Sequence, residues 1–225
     1  MKDFTTQNEI NILGFSGQYL ALLFESLRSN LFKGSINIIL NDGLKRSEAE
    51  FETDLEYKIY HAAELKVVPN GDFVFCSNKP STKKFLYDFF FKEWEIEKNV
   101  YLSLCHSSGI VASTVKLGNG FYMEPLSVVS PYTEIGFGVT VNRNCSIGHH
   151  SHISDFCSIH PGANIAGNVY VGEGVTIGPG STIFSNIRIG RNSIIGGGSV
   201  VTKNIPDNVL AFGNPCKIVK EIEML

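Results

Sequence analysis

The part of the sequence best suited to chemistry is a group of histidines between residues 149 and 160. Four of the six histidines of the chain stand there: His149, His150, His152 and His160. Histidine titrates near neutral pH, so a histidine that faces a cleft can remove the proton from an attacking amine or hydroxyl. We therefore expect general-base catalysis from this segment, against the alternative that the four histidines only form a polar outer face.

The histidines lie inside a repeat in which an aliphatic residue returns at every sixth position between residues 111 and 206. A step of six keeps these residues on one face of an extended chain, whereas it would scatter them around a helix. The repeat therefore predicts short strands of a parallel β-helix whose core is the stacked aliphatic residues. The sixteen positions are Val111, Leu117, Met123, Val129, Ile135, Val141, Ile147, Ile153, Ile159, Ile165, Val171, Ile177, Ile183, Ile189, Ile195 and Val201.

Small or β-branched residues usually stand two positions before the aliphatic residue, where they would fill tight corners. Glycine often follows the aliphatic residue and would ease the chain round a bend. None of the four histidines occupies an aliphatic or a corner position, so the pattern points all of them outward. The corner residues include Ser127, Thr133, Cys145, Ser151, Cys157, Ala163, Ser181, Ser193 and Ser199.

The residues ahead of the repeat predict a small parallel α/β domain. Apolar runs at 9–13, 36–40 and 73–76 indicate strands, and helices are expected from 19 to 27 and from 80 to 91. A ligand of such a sheet binds outside the carboxyl ends of its strands. The residues that would gather there are Gly14, Ser16, Gly17 and Asp42. Residues 44–70 carry no strong signal, and a short helix is expected to close the chain at Leu225.

Composition limits the classes of partner and the location. A net charge of −3 gives no reason to expect nucleic acid or an anionic membrane as a partner. No apolar run is long enough to span a membrane, and the first residues lack the apolar core of a signal peptide, so a cytoplasmic location is expected. The five cysteines show no CxxC spacing, and their odd number argues against a closed disulfide framework.

Runs such as Ile177-Gly178-Pro179-Gly180-Ser181-Thr182, and the closure Gly213-Asn214-Pro215-x-Lys217, resemble the hexapeptide acyltransferases. In that family three hexapeptides make one triangular, left-handed coil, so the resemblance implies that residues eighteen apart are stacked. An α/β domain over 1–105 ahead of a β-helix domain over 106–225 resembles two groups of bacterial enzymes. They are the nucleotide-linked amino-sugar N-acetyltransferases of the bacillosamine and perosamine pathways and the sialic acid O-acetyltransferases.

This resemblance implies acetyl-CoA as co-substrate, no metal, and a nucleotide-linked amino sugar as acceptor, in the synthesis of surface glycan or lipopolysaccharide O-antigen precursors. It also implies a homotrimer with acyl-CoA sites between neighbouring prisms. O-acetylation of a sugar or of sialic acid remains the near alternative. A zinc hydratase of this fold would need two histidines five residues apart, and a non-catalytic assembly module would not need the histidines.

The resemblance also implies roles for individual residues. His149 follows the turn residue after an aliphatic position, with Pro161-Gly162-Ala163 and Ala166-Gly167-Asn168 in register, and is expected to be the general base. Gly167 is expected to donate its backbone N–H to the thioester carbonyl. His150, where the family commonly has an acid, and His160 are expected to support the base. Gly14, Ser16, Gly17 and Asp42 are expected to bind the nucleotide, and Lys203, Lys217 and Lys220, together with Gly167, the acyl-CoA.

Overall fold

The computed structural model describes residues 9–41 and 53–223, so the predicted nucleotide contact Asp42 lies outside the described residues. The α/β domain has four parallel strands, β1 (Glu9–Leu13), β2 (Ser35–Leu40), β3 (Tyr57–His61) and β4 (Asp72–Phe75), in the order β3-β2-β1-β4. The helices are α1 (Gly17–Ser29) and α2 (Pro80–Trp94), with 3₁₀ turns at Ala62–Glu64 and Lys98–Val100. The three predicted strands are present.

The fourth strand, β3, lies in the segment 44–70, where no element was predicted. It is an edge strand of the sheet formed by the described residues, where it pairs with β2, and all of its residues are at least partly exposed. Because an edge strand buries little surface, it needs no continuous apolar run and leaves a weak trace in the sequence.

The second part of the chain is a three-sided β-helix of two-residue strands. Each strand pairs in parallel with the strand eighteen residues away, as Ser158 does with Thr140 and Thr176. In chain order, β5 to β21 are Leu104–Cys105, Ile110–Val111, Lys116–Leu117, Tyr122–Met123, Val128–Val129, Glu134–Ile135, Thr140–Val141, Ser146–Ile147, His152–Ile153, Ser158–Ile159, Asn164–Ile165, Tyr170–Val171, Thr176–Ile177, Thr182–Ile183, Arg188–Ile189, Ile194–Ile195 and Val200–Val201.

The strands form three sheets, which we call faces. Face 1 contains β5, β8, β11, β14, β17 and β20, face 2 contains β6, β9, β12, β15, β18 and β21, and face 3 contains β7, β10, β13, β16 and β19. The sixteen aliphatic residues are the second residues of β6 to β21 and form the core, as predicted. Strand β5 extends the pattern one hexapeptide upstream, with Cys105 in the core.

Small residues fill the corners and link successive coils. Ser151 is buried, donates from Oγ to the carbonyl of Ala166 (3.1 Å), and accepts from the N–H of Val169 (3.1 Å). Ser127 makes the same pair of bonds to Asn142 and Cys145. A corner hydroxyl therefore satisfies backbone groups that the two-residue strands leave unpaired.

The expectation of a closing helix at the carboxyl terminus was wrong. Residues Val209–Phe212 (β22) add a parallel strand to β20, and Lys217–Glu221 (β23) pairs with β22 in the antiparallel sense. The open edge of face 1 offers unpaired backbone groups, and a strand satisfies them where a helix would not.

The α/β domain packs on the early coils of face 1 and on the corner between faces 3 and 1. Tyr122 of β8 donates to the carbonyl of Leu22 in α1 (3.0 Å). The ring of Phe75, the last residue of β4, contacts Tyr101, Phe137 and Phe156 at centroid distances of 4.6, 5.8 and 6.5 Å. The carboxyl end of β4 therefore lies against the corner between faces 3 and 1.

Candidate active site

The two adjacent histidines, His149 and His150, form the corner that connects face 2 to face 3. Both are exposed. His150 has a left-handed backbone (φ 55°), like Tyr132, Asn168 and Asn186 at the same corner of other coils. Its ring lies 4.9 Å from the ring of Tyr132. The left-handed turn leaves His149 on the outside of the prism, as the hexapeptide pattern predicted.

The ring of His149 lies directly over Gly167, which occupies the same corner in the next coil. A Cβ atom on Gly167 would stand 2.7 Å from Cε1 and 2.8 Å from Nε2 of His149. The N–H of Asn168 donates to the carbonyl of His149 at 2.9 Å. The N–H of Gly167, in contrast, donates no hydrogen bond within the described parts of the chain. A free backbone donor and an imidazole therefore stand side by side on an exposed corner.

The second histidine contacts the first through their Nδ1 atoms. Nδ1 of His149 and Nδ1 of His150 are 3.1 Å apart, so one of them carries a proton and the other accepts it. When His149 is the donor, its Nε2 keeps a free lone pair next to Gly167. That tautomer is the one a general base requires. Asp155 does not take part, because its oxygens bind the N–H of Phe137 and the ammonium of Lys98.

His160 lies at a different corner, the one that connects face 1 to face 2. Burial lowers its pKa, Glu124 raises it and Lys83 lowers it, with a net decrease. One whole face of the prism separates this corner from that of His149. The structure therefore does not bring His149 and His160 together within one chain.

The corner of His160 carries two further polar residues that sequence reasoning did not single out. Glu124 is fully buried and accepts from Nδ2 of Asn142 (2.5 Å) and from the N–H of Arg143 (3.1 Å). Oδ1 of Asn142 is buried and has no hydrogen-bond partner among the described residues. A buried acceptor without a donor is costly unless a ligand or water supplies one. The sequence feature that could have revealed this group is its spacing, because Glu124, Asn142 and His160 stand eighteen residues apart.

The predicted glycine turn follows β1 at the carboxyl edge of the sheet. Gly14 has a φ of 90°, which favours glycine, and its N–H donates to the carbonyl of Ile39 near the end of β2 (2.8 Å). Ser16 precedes α1 in extended conformation, and Gly17 begins the helix. Asn41, at the end of β2, is buried with its Oδ1 unpartnered among the described residues. Gly14, Ser16 and Gly17 thus gather where predicted.

A residue that the sequence did not reveal, Lys83 of α2, is buried between this sheet edge and face 1. Its Nζ donates to the carbonyl of Gly138 (2.6 Å) and to Oγ1 of Thr140 (3.0 Å). It also contacts the carbonyl of Cys157 (3.1 Å) and Oγ of Ser158 (3.4 Å). Burial lowers its pKa to about 7. Lys83 lies on the same face of α2 as the buried apolar residues. A lysine at helical spacing from apolar residues was therefore the sequence feature that could have revealed it.

An open groove of about 510 Å³ runs along face 2 beside the corner of His149. Its lining includes Ser146, Asn164, Ala166, Thr182, Phe184 and Ser185. Ala166 directly precedes Gly167, so the groove leads to the free N–H. Lys203 is exposed after β21 at the end of face 2, whereas Lys217 and Lys220 are exposed on β23 at the end of face 1. The three lysines therefore lie at one end of the prism, divided between two faces.

The described residues contain no group of three or more His, Cys, Asp and Glu side chains that could hold a metal ion. None of the helices in residues 9–41 and 53–223 is long and apolar enough to cross a membrane.

Known proteins with the same architecture match nearly the whole chain. A family model of the bacterial transferase hexapeptide (six repeats) matches residues 150–185. A comparison with curated proteins found no match. A histidine-to-asparagine mutant of perosamine N-acetyltransferase from Caulobacter crescentus, in complex with CoA and GDP-perosamine, is 22% identical with a TM-score of 0.79. The alignment covers 95% of this chain and 98% of that one.

Two further solved structures also match nearly the whole chain. The acetyltransferase domain of PglB from Neisseria gonorrhoeae, in complex with acetyl coenzyme A, is 20% identical with a TM-score of 0.81, covering 95% of this chain and 100% of that one. WeeI from Acinetobacter baumannii AYE is 22% identical with a TM-score of 0.75, covering 93% and 99%. The predicted fold class is confirmed: the chain is a small parallel α/β domain followed by a left-handed β-helix of hexapeptide repeats.

Proposed function

We propose that this protein is an acetyl-CoA-dependent N-acetyltransferase that acts on the amine of a nucleotide-linked amino sugar. The observation that carries the proposal is the exposed imidazole of His149 lying over Gly167, whose N–H is free within the described parts of the chain. A base beside a preorganised backbone donor is the arrangement that acyl transfer from a thioester requires.

The reaction is a direct transfer. The acceptor amine attacks the carbonyl carbon of the acetyl thioester while Nε2 of His149 takes the proton that the amine loses. The oxygen of the tetrahedral intermediate accepts a hydrogen bond from the N–H of Gly167, an effect typically worth about 3 kcal/mol. The C–S bond then breaks, the acetyl group stays on nitrogen as an amide, and the imidazolium returns its proton to the leaving thiolate. His150 holds the tautomer through its Nδ1.

Acetyl-CoA would lie in the groove on face 2. Lys203, Lys217 and Lys220 are the candidate contacts for its phosphates. The nucleotide would bind at Gly14, Ser16 and Gly17, with Asp42 following β2. The buried, unpartnered Oδ1 of Asn142 would accept a hydrogen from the acceptor amine.

We further propose a homotrimer, because the acceptor and donor halves of the site lie at different corners of one prism. The corner of His149 in one subunit would face the neighbouring subunit. There it would meet the corner of His160 and the sheet edge of the α/β domain. His160 would then contact the acceptor in its neutral form, in line with its lowered pKa. The relatives support the ligand classes, since one was solved with CoA and GDP-perosamine and another with acetyl coenzyme A. The product would serve cytoplasmic assembly of a surface glycan precursor.

The test is a thermal-shift screen of nucleotide-linked amino sugars, GDP-perosamine among them, with and without acetyl-CoA. The binder is then incubated with acetyl-CoA, and the product is analysed by mass spectrometry and hydroxylamine treatment. An amide resists hydroxylamine, whereas a sugar acetate ester is cleaved. A cleaved product would establish O-acetylation in place of N-acetylation. Absence of acetyl transfer to every acceptor would refute the proposed function.

A further inference from the structure

Lys83 is buried, which is unusual for a lysine. Its relative exposure is 1%, although it is a cationic residue in the first turn of α2. All four partners of its ammonium are neutral oxygens, two of them backbone carbonyls of Gly138 and Cys157. A buried ammonium without a carboxylate partner is costly, and an apolar side chain of similar length would pack on the same stripe at lower cost. The four contacts of the amine fix α2 against face 1 and compensate part of that cost.

The contacts of the amine lead to the sheet edge. Oγ of Ser158, which lies 3.4 Å from Nζ, donates a hydrogen bond to the carbonyl of Asn78. Asn78 belongs to the loop 76–79 between β4 and α2. In the same loop, Sγ of Cys76 contacts the carbonyl of Ser16 at 3.8 Å, and the N–H of Cys76 donates to the carbonyl of Leu13. Lys83 and Asn78 thus contact the same face 1 residue, Ser158, and Cys76 of the loop 76–79 contacts the glycine turn 14–17.

The same amine is close to the residues of the His160 corner. Thr140 and Asn142 point outward from one strand end, and Ser158 and His160 do so from the next, because residues two apart in a strand share a side. The ammonium contacts Thr140 and Ser158, and its charge is one of the causes of the lowered pKa of His160. Two residues along an extended strand span about 7 Å. The two side chains that Lys83 contacts, Thr140 and Ser158, therefore stand one such step from Asn142 and His160.

We propose that Lys83 is a positioning residue for the acceptor site, which holds the loop 76–79 and the glycine turn 14–17 against the face that carries Asn142 and His160. This inference rests on the proposed function, which identifies the acceptor as the nucleotide-linked amino sugar. It gives Lys83 no contact with the reacting atoms.

The test compares Lys83→Met with Lys84→Met, a matched control on the neighbouring residue of the same helix. Lys84 is exposed, and its ion pair with Glu173 is a surface contact at 3.6 Å. A positioning role predicts that Lys83→Met raises the KM for the acceptor by about tenfold or more, while the KM for acetyl-CoA stays within about twofold. Lys84→Met should change neither. Ser158→Ala, which cuts the link to Asn78 but leaves the other partners of Lys83, should give a smaller rise.

A second measurement needs no substrate. Amide hydrogen exchange of the ligand-free proteins should show faster exchange at residues 76–79 and 14–17 in Lys83→Met than in the wild type, and no change in Lys84→Met. If Lys83→Met does not fold, Lys83→Gln and Ser158→Ala are measured in its place. Lower thermal stability with unchanged acceptor KM, or unchanged exchange in both segments, would overturn the inference. A wild type that acetylates no acceptor refutes the proposed function instead, and hydrogen exchange still decides whether Lys83 holds the loop.

Discussion

Replacement of Gly167 by alanine tests the geometry of the site without removing any functional group. The new Cβ would stand 2.7 Å from Cε1 and 2.8 Å from Nε2 of His149, closer than real Cβ contacts come. The obstructing atoms belong to the end of an exposed side chain, so the imidazole swings away and the coil stays intact. A side chain held about 30° off its rotamer costs about 0.5–1.5 kcal/mol. Replacing glycine by alanine where the backbone is compatible stabilises the folded protein by about 0.4–1 kcal/mol.

The expected free energy of unfolding is therefore nearly unchanged, whereas activity should fall steeply. A misplacement of about 1 Å in a catalytic group can cost about 10²-fold in rate. We expect Gly167→Ala to lower kcat by about 10² to 10³ with the KM for acetyl-CoA changed only a few-fold. The assay is steady-state acetylation with both substrates varied, together with urea unfolding of each variant.

Gly174→Ala is a matched control on the corner between faces 3 and 1. Its Cβ would meet the end of another flexible side chain, Oδ1 of Asn192 at 2.7 Å, and its φ of 69° adds strain of about 1–2 kcal/mol. This variant should lose stability but keep its kcat. In a double-mutant cycle, Gly167→Ala should cost little further activity once His149 is already alanine, because the two changes act on the same imidazole. Full activity in Gly167→Ala, or additive losses in the cycle, would refute the reasoning.

Further predictions concern the remaining parts of the site. His150→Ala should lower kcat less than His149→Ala, and His160→Ala should act mainly on the acceptor KM, as steady-state kinetics would show. Replacing Lys203, Lys217 and Lys220 together should raise the KM for acetyl-CoA; an unchanged KM removes them from the CoA site. Gly17→Ala or Asp42→Ala should raise the KM for the sugar nucleotide far more than that for acetyl-CoA, and equal effects would place the nucleotide elsewhere. Light scattering at micromolar concentration should give a trimer, and a monomer would contradict the composite site.

Lys83 also gives a prediction for the pH dependence of stability. Its pKa is lowered from 10.5 to about 7 by burial, so between these values the unfolded chain holds a proton that the native protein has lost. The free energy of unfolding then rises with pH across this window and stays at its lower level below about pH 7. Cys157, whose pKa is raised, and His160 lie near Lys83 and remain in both proteins. Wild type should therefore gain stability relative to Lys83→Met between about pH 7 and 10 in urea titrations, and parallel curves would contradict the assignment.

The repeat could be predicted in detail because its signal is both periodic and redundant. Each aliphatic position is buried by its neighbours eighteen residues away: Ile153 pairs with Val171, and both are fully buried. Such positions need no tertiary information beyond the period itself, and His149 follows as an outward residue. Strand β3 and the antiparallel pair at the carboxyl terminus could not be predicted in this way. Their stability comes from pairing with open sheet edges, and edge pairing leaves little pattern in the side chains.

The site was predictable only where the stacking of coils determines it. Gly167 lies over His149 because residues eighteen apart stack. The residues show the period of six, and the resemblance to the hexapeptide acyltransferases supplies the three hexapeptides per coil. The position of Lys83 depends instead on how α2 packs against face 1. The separation of His149 from His160 depends on which corner of the prism each of them occupies. Neither relation was evident from the aliphatic period alone.

The measurement that tests the central claim most directly is kcat for wild type and His149→Ala in one assay, with acetyl-CoA and a nucleotide-linked amino sugar identified by the binding screen. Loss of a positioned general base typically costs about 10² to 10⁴ in rate. The account predicts a loss of that size in kcat, with a KM for acetyl-CoA within a few-fold of wild type and an N-acetylated product. If His149→Ala keeps more than about a tenth of the wild-type kcat while His150→Ala or His160→Ala abolishes it, His149 is not the base.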